Sequence, residues 1–228
     1  MALIFFTILA LVMSAILHEY AHGWAAYQLG DDTARNAGRL TLNPVPHLDP
    51  LGSVILPLLL VFSGSSFVLG WAKPVPYNPY NLSDPRYGDL KVAIAGPATN
   101  FILAVFFGLV ARFTSPDAVL KSDLINSFFQ GNFQSILAEM SGSLLVSVFV
   151  MSVIICFINL ILMIFNLIPL PPLDGSKVLM TFLSADWRIR LQQIEPYGIF
   201  IILLLLFLGL INIIFIPLIF LFSVLVGF

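Results

Sequence analysis

His18-Glu19-Tyr20-Ala21-His22 is the place in this sequence where residue type and spacing together specify a reaction. Four residues apart on a helix, the two imidazoles share one face, a single turn apart. That is the separation two nitrogen ligands need to hold one zinc ion. Glu19 lies about 100° around the helix from His18. From there its carboxylate can reach a water beside the metal and act as general base. Zinc lowers the pKa of such a water toward ~7, so hydroxide becomes available at neutral pH. The chemistry implied is metal-assisted hydrolysis.

The chain has three histidines and twelve acidic residues, and two of those histidines and one carboxylate fall in a single turn of an apolar segment. An ionisable residue in such a segment costs at least ~2.5 kcal/mol on insertion scales, which marks it as functional. Catalytic zinc takes three protein ligands and a water. Asp174 is the leading third ligand, because Pro169, Pro171 and Pro172 hold the preceding backbone extended and Gly175 permits close approach. Aspartate also caps helices, and a short helix over Ser176–Leu183 is expected next, so spacing alone leaves ligand and cap equally open. His47 is the rival ligand, but Asp49 and the prolines around it place it in a solvated turn.

These residues must be positioned by elements suited to lipid. Of 228 residues, 59% are hydrophobic and 10% charged, against roughly 25% charged in soluble domains. A net charge of −2 excludes a basic field for nucleic acid. Cys156, the single cysteine, lies in the apolar run Ser152–Ile164 and reads as a small buried hydrophobe, with no internal disulfide possible. The apolar N-terminus lacks the basic start of a signal peptide and carries the histidine motif itself.

Apolar segments are expected from Ala2 to about Leu29, over Leu51–Leu69, over Leu90–Phe113, from about Leu144 to Leu167, and over Tyr197–Phe228, the last as one kinked helix or two shorter passes meeting near Asn212–Pro217. Gly38–Pro50 reads as a short extended stretch with turns. Gly70–Pro85, with four prolines, cannot be regular helix, and its Trp71, Tyr77 and Tyr80 suit a membrane interface. Thr114–Ser141 reads as an exposed connection with an amphipathic portion. If Leu144–Leu183 is one crossing broken by an extended string over Asn166–Asp174, that string meets His18 near mid-membrane. Irregular backbone is tolerated there only against protein or a water-filled cavity.

The fold class is all-α: a polytopic helical membrane bundle of five or six hydrophobic segments with a mid-membrane zinc site. It forms a single domain over residues 1–228, with a core over 1–185 and C-terminal hydrophobic segments over 197–228. Numbering the connections in order, the first and third carry Arg35, Arg39, Arg112 and Lys121. The second and fourth carry Lys73, Arg86, Lys91, Lys177, Arg188 and Arg190. Four against six does not set an orientation.

Taken in order, the histidine motif, Gly96-Pro97-Ala98-Thr99-Asn100 and Asn166-Leu-Ile-Pro169-Leu-Pro-Pro-Leu-Asp174-Gly175 resemble the site-2 protease family of intramembrane zinc metalloproteases in its short prokaryotic form. Leu42-Asn43-Pro44…Asp49-Pro50 and Gly70-Trp71-Ala72-Lys73-Pro74-Val75-Pro76 resemble it too, and the likeness covers most of Met1–Leu183. The resemblance implies Asp174 as third ligand, one Zn2+ per chain, and Asn166 and Asn100 holding substrate backbone or steadying the site. Polar membrane residues also serve as interhelical hydrogen bonds. It implies a multi-pass cell-membrane protein in contact with lipid, cleaving transmembrane protein substrates in regulated intramembrane proteolysis. The connections are too short for the inserted peptide-binding domain of longer members. Two other readings are a membrane metal transporter, which would need several His and Asp sites along a path, and an inactive scaffold, which would not need Glu19.

Overall fold

A largely apolar run, interrupted by the histidine motif, carries α1 (Ala2–Gln28) through 27 residues, about 40 Å at ~1.5 Å per residue and enough to cross a hydrocarbon layer of ~30 Å. The computed structural model describes residues 2–55, 59, 62, 72–209, 213 and 215–228. Among the described residues every regular element is helical. After α1 come the short α2 (Thr33–Asn36), α3 (Gly88–Phe113), α4 (Ala118–Phe129), α5 (Phe133–Gly142) and α6 (Leu144–Asn166). They are followed by α7 (Asp174–Phe182), α8 (Ala185–Ile194), α9 (Gly198–Phe207) and α10 (Phe215–Val226).

Three described helices, α1, α3 and α6, are long and apolar enough to cross a membrane, whereas α9 and α10 are each shorter than a crossing requires. The expected run Leu51–Leu69 and the joint near Asn212 lie largely outside the described residues, so the structure tests neither. α3 is the central strut: it packs against α1 on one side and α6 on another, and touches α7 and α10 as well. Its outward faces stay greasy, with Phe101, Ile102 and Phe106 exposed, as are Phe5 and Ile8 of α1. Water would not tolerate that belt; lipid would.

Local signals set the helix ends. α1 stops at Gly30, whose φ of 97° allows the Asp31 N–H to reach back to the Ala26 carbonyl and the Gly30 N–H to reach that of Tyr27. Asp117, Asn132 and Ser143 cap α4, α5 and α6 with their side-chain oxygens. The stretch 114–141 is therefore not an open connection. It forms two helices that bury Leu124, Ile125 and Ile136 against α6, and the rings of Phe128, Phe129, Phe157 and Phe222 join α4, α6 and α10 edge to face.

The described segments that flank residues 56–71 meet at one end of the bundle. The Ser83 N–H donates to the Leu29 carbonyl, and the Lys73 N–H donates to that of His47. Asp31, fully buried, accepts from the Thr33 N–H and hydroxyl and from Asn81 Nδ2 on one oxygen, and from the Asn78 N–H at 2.8 Å on the other. Burial alone would raise its carboxyl, but these donors prevail and hold it below its ordinary value. A carboxyl lowered on folding stabilises above its unfolded value and loses that contribution as pH falls through the folded one. Asp31→Asn is expected to cost about 1–3 kcal/mol near neutral pH. It should also flatten the acid limb of unfolding below pH ~4, followed by thermal denaturation across pH.

This pairing corrects the charge count. Both flanks of 56–71 sit at the end where α1 finishes, α3 begins and α6 finishes, so the ends do not alternate across that run as the sequence reading assumed. Arg35, Arg39, Lys73, Arg86, Lys91, Lys177, Arg188 and Arg190 belong to that end, eight of the ten basic residues. Arg112 and Lys121 lie at the other, where Lys121 Nζ donates to the Val226 and Gly227 carbonyls. Eight against two predicts that the end holding Asp31 and Asp174 faces the cytoplasm. With Cys156 buried, an impermeant maleimide on intact cells should label Ser141→Cys and spare Ser83→Cys until the cells are opened. The reverse pattern would invert the assignment.

Candidate metal centre

α1 and α3 run antiparallel, and their contact is set by three positions on α3 spaced one turn apart. The Val92 carbonyl accepts from His22 Nδ1 at 2.7 Å, and Asn100 Oδ1 accepts from His18 Nδ1 at 2.5 Å. Between them Gly96 leaves bare backbone. A Cβ there would overlap His22 Nε2 and come within 2.6 Å of His18 Cε1. Glycine is required because two imidazole edges occupy the space of a side chain.

Asp174 arrives from the irregular string 167–173. Gly175 lets that string close on itself, since a Cβ at 175 would run into the Leu167 and Ile168 carbonyls. Asp174 is the first residue of α7. The cap position belongs to Leu173, and no side chain caps this helix, so the helix-cap reading of Asp174 is not what the structure has. Its Oδ2 lies 3.1 Å from His18 Nε2 and 3.1 Å from His22 Nε2, which are themselves 3.0 Å apart. All three residues are buried.

The protons decide what this triangle can hold. Asn159 Nδ2 donates to the Ile155 carbonyl at 2.9 Å, a bond that fixes which end of its amide is nitrogen. Asn159 Oδ1 must then accept from Asn100 Nδ2, at 2.8 Å. Asn100 therefore turns its oxygen to His18, whose Nδ1 carries the proton. His22 Nδ1 likewise donates to a carbonyl. In their neutral form both imidazoles present Nε2 lone pairs to a carboxylate oxygen, three acceptors with no hydrogen among them. A proton on one imidazole would satisfy part of that array; one divalent cation satisfies all of it. Tetrahedral zinc with bonds of ~2.0–2.1 Å sets its ligand atoms ~3.3 Å apart. An outward relaxation of about 0.3 Å would suffice, and two nitrogens with one carboxylate oxygen are a donor set zinc accepts. The residues fit the metal.

Glu19 stands beside the cluster, and its Oε2 accepts from the Val75 N–H at 2.8 Å. Asn166 ends α6 half-buried, with its amide turned back to the Leu162 carbonyl, and no described hydrogen bond joins it to the histidines. His47 is not in a solvated turn. It is 1% exposed, folded beneath the returning segment 72–76, with Nε2 bonded to the Thr41 carbonyl and outside the metal-ligand cluster. Sequence reasoning missed Asn159 and Ser14, which extend the Asn100 contact: Asn159 Nδ2 also donates to Ser14 Oγ at 2.9 Å. The signal was present. Asn159 is an amide in the middle of a very apolar helix, and Ser14 precedes His18 by one turn on the same face.

Comparison with known proteins follows this geometry. The family model described as Peptidase family M50 matches residues 6–210. The chain is 37% identical over 206 residues to "Putative zinc metalloprotease YwhC" of Bacillus subtilis, covering 89% of this chain and 80% of that protein. It is 29% identical over 197 residues to "Putative zinc metalloprotease Rip2" of Mycolicibacterium smegmatis, covering 86% of this chain and 64% of that one. Against Rip2 of Mycobacterium tuberculosis the identity is 26% over 198 residues, covering 87% and 64%. The chain thus spans just under two thirds of the Rip2 proteins. No solved structure matches it.

Gly96→Ala should empty the site while keeping the helix, since alanine is the better helix former by ~1 kcal/mol; zinc per purified chain measures this. Asn159→Leu should weaken zinc by up to about 10-fold in chelator competition, the lower end of the effect of removing an outer partner of a ligand, because Asn159 acts on His18 through Asn100. Asn166→Leu should leave zinc affinity unchanged.

Proposed function

The chain belongs to peptidase family M50, the site-2 protease family, and from that premise we propose an intramembrane zinc endopeptidase. It hydrolyses peptide bonds in or near transmembrane helices of membrane-protein substrates, in regulated intramembrane proteolysis. The observation that carries this reading is the convergence of His18 Nε2, His22 Nε2 and Asp174 Oδ2 within about 3 Å of one another, with both Nδ1 atoms bonded elsewhere, next to the carboxylate of Glu19. His18, His22 and Asp174 would hold one Zn2+ and leave a fourth position open. Bound zinc would supply Lewis acidity toward the scissile carbonyl and a water acidic enough to be deprotonated near pH 7.

The remaining chemistry belongs to the chain. Glu19 takes the proton of the attacking water and later delivers it to the leaving amide nitrogen. One of its oxygens is tethered to the Val75 N–H, which leaves the other for that exchange. Asn166, at the lip of the string that bears Asp174, is the residue this reading assigns to hold substrate backbone. Asn100 steadies His18 and is too buried to touch substrate. A substrate helix hides its carbonyls in its own hydrogen bonds and must unwind before hydrolysis, so helix-weakening residues near the cleavage site favour it. A single candidate metal cluster among the described residues argues against a transport path, and an intact Glu19 against a scaffold.

Glu19→Gln should reduce cleavage of a labelled membrane-helix substrate by ~100-fold or more, the lower range of general-base effects, while zinc still copurifies at near-parental content. Retained cleavage would sink the mechanism. Asp174→Ala should lose zinc and cleavage together, and His47→Ala should keep most of both. If zinc is instead lost in the His47 variant and kept in the Asp174 variant, the ligand set is wrong.

A further inference from the structure

We propose that Arg39 is a positioning residue for Glu19, acting through the backbone of Lys73–Val75; the proposal rests on Glu19 being the general base. Residues 72–76 run extended across α1 with no strand beside them among the described residues. Their polar backbone groups are nonetheless used. The Lys73 N–H donates to the His47 carbonyl at 2.8 Å. The Lys73 and Pro74 carbonyls accept from Arg39 Nη2 at 2.6 and 3.3 Å. Pro74 and Pro76 carry no N–H, so the Val75 N–H is the single donor between them, and it goes to Glu19 Oε2 at 2.8 Å. The Val75 side chain presses on Gly23, one turn beyond Glu19 on α1. A Cβ at Gly23 would come within 2.8 Å of Val75 Cγ1.

The strap is thus pinned at Lys73 from one side by His47 and from the other by Arg39, and it delivers one N–H to one carboxylate. Arg39 is 6% exposed, and among the described residues no carboxylate lies within ion-pair distance of it. A buried cation is costly, and a backbone tie alone would not need one. A guanidinium gives what a neutral amide does not: a planar charged donor spanning two successive carbonyls, with charge-assisted bonds that hold the strap in register. Burial pushes Arg39 below its ordinary value, and the Glu19 carboxylate opposes that shift, so the two groups lie within electrostatic reach across the strap. Gly38, with φ of 66°, turns the chain out of α2 so that Arg39 can enter beneath residues 73–74. A glutamate has three side-chain torsions, and without the Val75 N–H its carboxylate would sample orientations that do not face the water.

The test uses purified full-length protein in detergent or liposomes with a labelled membrane-helix substrate. Arg39→Ala should lower kcat about 10–100-fold, a loss of alignment at the base. KM and zinc content should stay near parental values, and amide exchange at Lys73 and Val75 should quicken while exchange in α1 and α3 holds. Arg39→Lys, which keeps a cationic donor, should recover part of the loss. Val75→Pro deletes the N–H itself and should lower kcat further than Val75→Ala, which keeps it, so the proposal stands or falls even if Arg39→Ala does not fold. Parental kcat in the Arg39 and Val75→Pro variants, with Glu19→Gln inactive, overturns the strap and spares the proposed base. Loss carried in KM or zinc content instead of kcat also overturns it. Cleavage surviving in Glu19→Gln overturns the underlying reading.

Discussion

Every other feature of the site depends on one constraint: two imidazoles must stand edge to edge between α1 and α3 with their Nε2 atoms free. Free Nε2 atoms require that both Nδ1 protons be taken elsewhere, and both are, by the Val92 carbonyl and by Asn100. Room for the rings requires that the backbone between those two acceptors carry no side chain, and Gly96 supplies that. The helix pair cannot slide by a turn without losing both bonds and colliding with a side chain. Helix packing, which elsewhere tolerates many registers, is here pinned by the chemistry it serves.

In hydrocarbon the polar contact cannot end on a dangling donor, because an unsatisfied group there costs several kcal/mol. The Asn100 amide therefore passes its remaining donor to Asn159, and Asn159 discharges its own on Ser14 and on the Ile155 carbonyl. Four side chains from α1, α3 and α6 close a network with a backbone anchor at its end. That anchor is what gives direction to the chain: reverse Asn159 and the Ile155 carbonyl faces an oxygen, reverse Asn100 and its oxygen faces Asn159 Oδ1. The metal end of the relay inherits its polarity from an ordinary main-chain carbonyl in α6.

Much of this was legible in the residues. The histidine spacing and the three long apolar helices follow from periodicity and length, because each is encoded within a few neighbouring positions, whereas spacing left Asp174 open between ligand and cap and the family resemblance pointed to the ligand. What escaped depends on register between distant segments. Gly96 could be read as a helix-packing glycine until His18 and His22 are set opposite it. Asn159 is polar in an apolar run and went unremarked, and only the pairing with Asn100 and Ser14 says what it bonds. His47 looked solvated from Asp49 and its prolines; it is buried because residues 72–76 return over it, 25 or more positions later. The charge asymmetry was masked for the same reason, since counting alternate connections presumes that every apolar run changes ends.

The strap and the metal triangle also differ in what they ask of the membrane. The triangle is built from helices whose backbones are satisfied internally, so it can lie deep without cost to the main chain. The strap is extended backbone, and its carbonyls and N–H groups need partners from outside the segment. Arg39, the His47 carbonyl and Glu19 supply them. An extended segment with so few local bonds could not cross lipid alone, and it does not have to. It is laid against α1 at the depth of Glu19, where hydrolysis already demands water and where a carboxylate is present to receive the one donor the prolines leave. The same charge that makes Glu19 useful as a base thus lets irregular backbone lie beside it, and the fold and the chemistry share a single carboxylate.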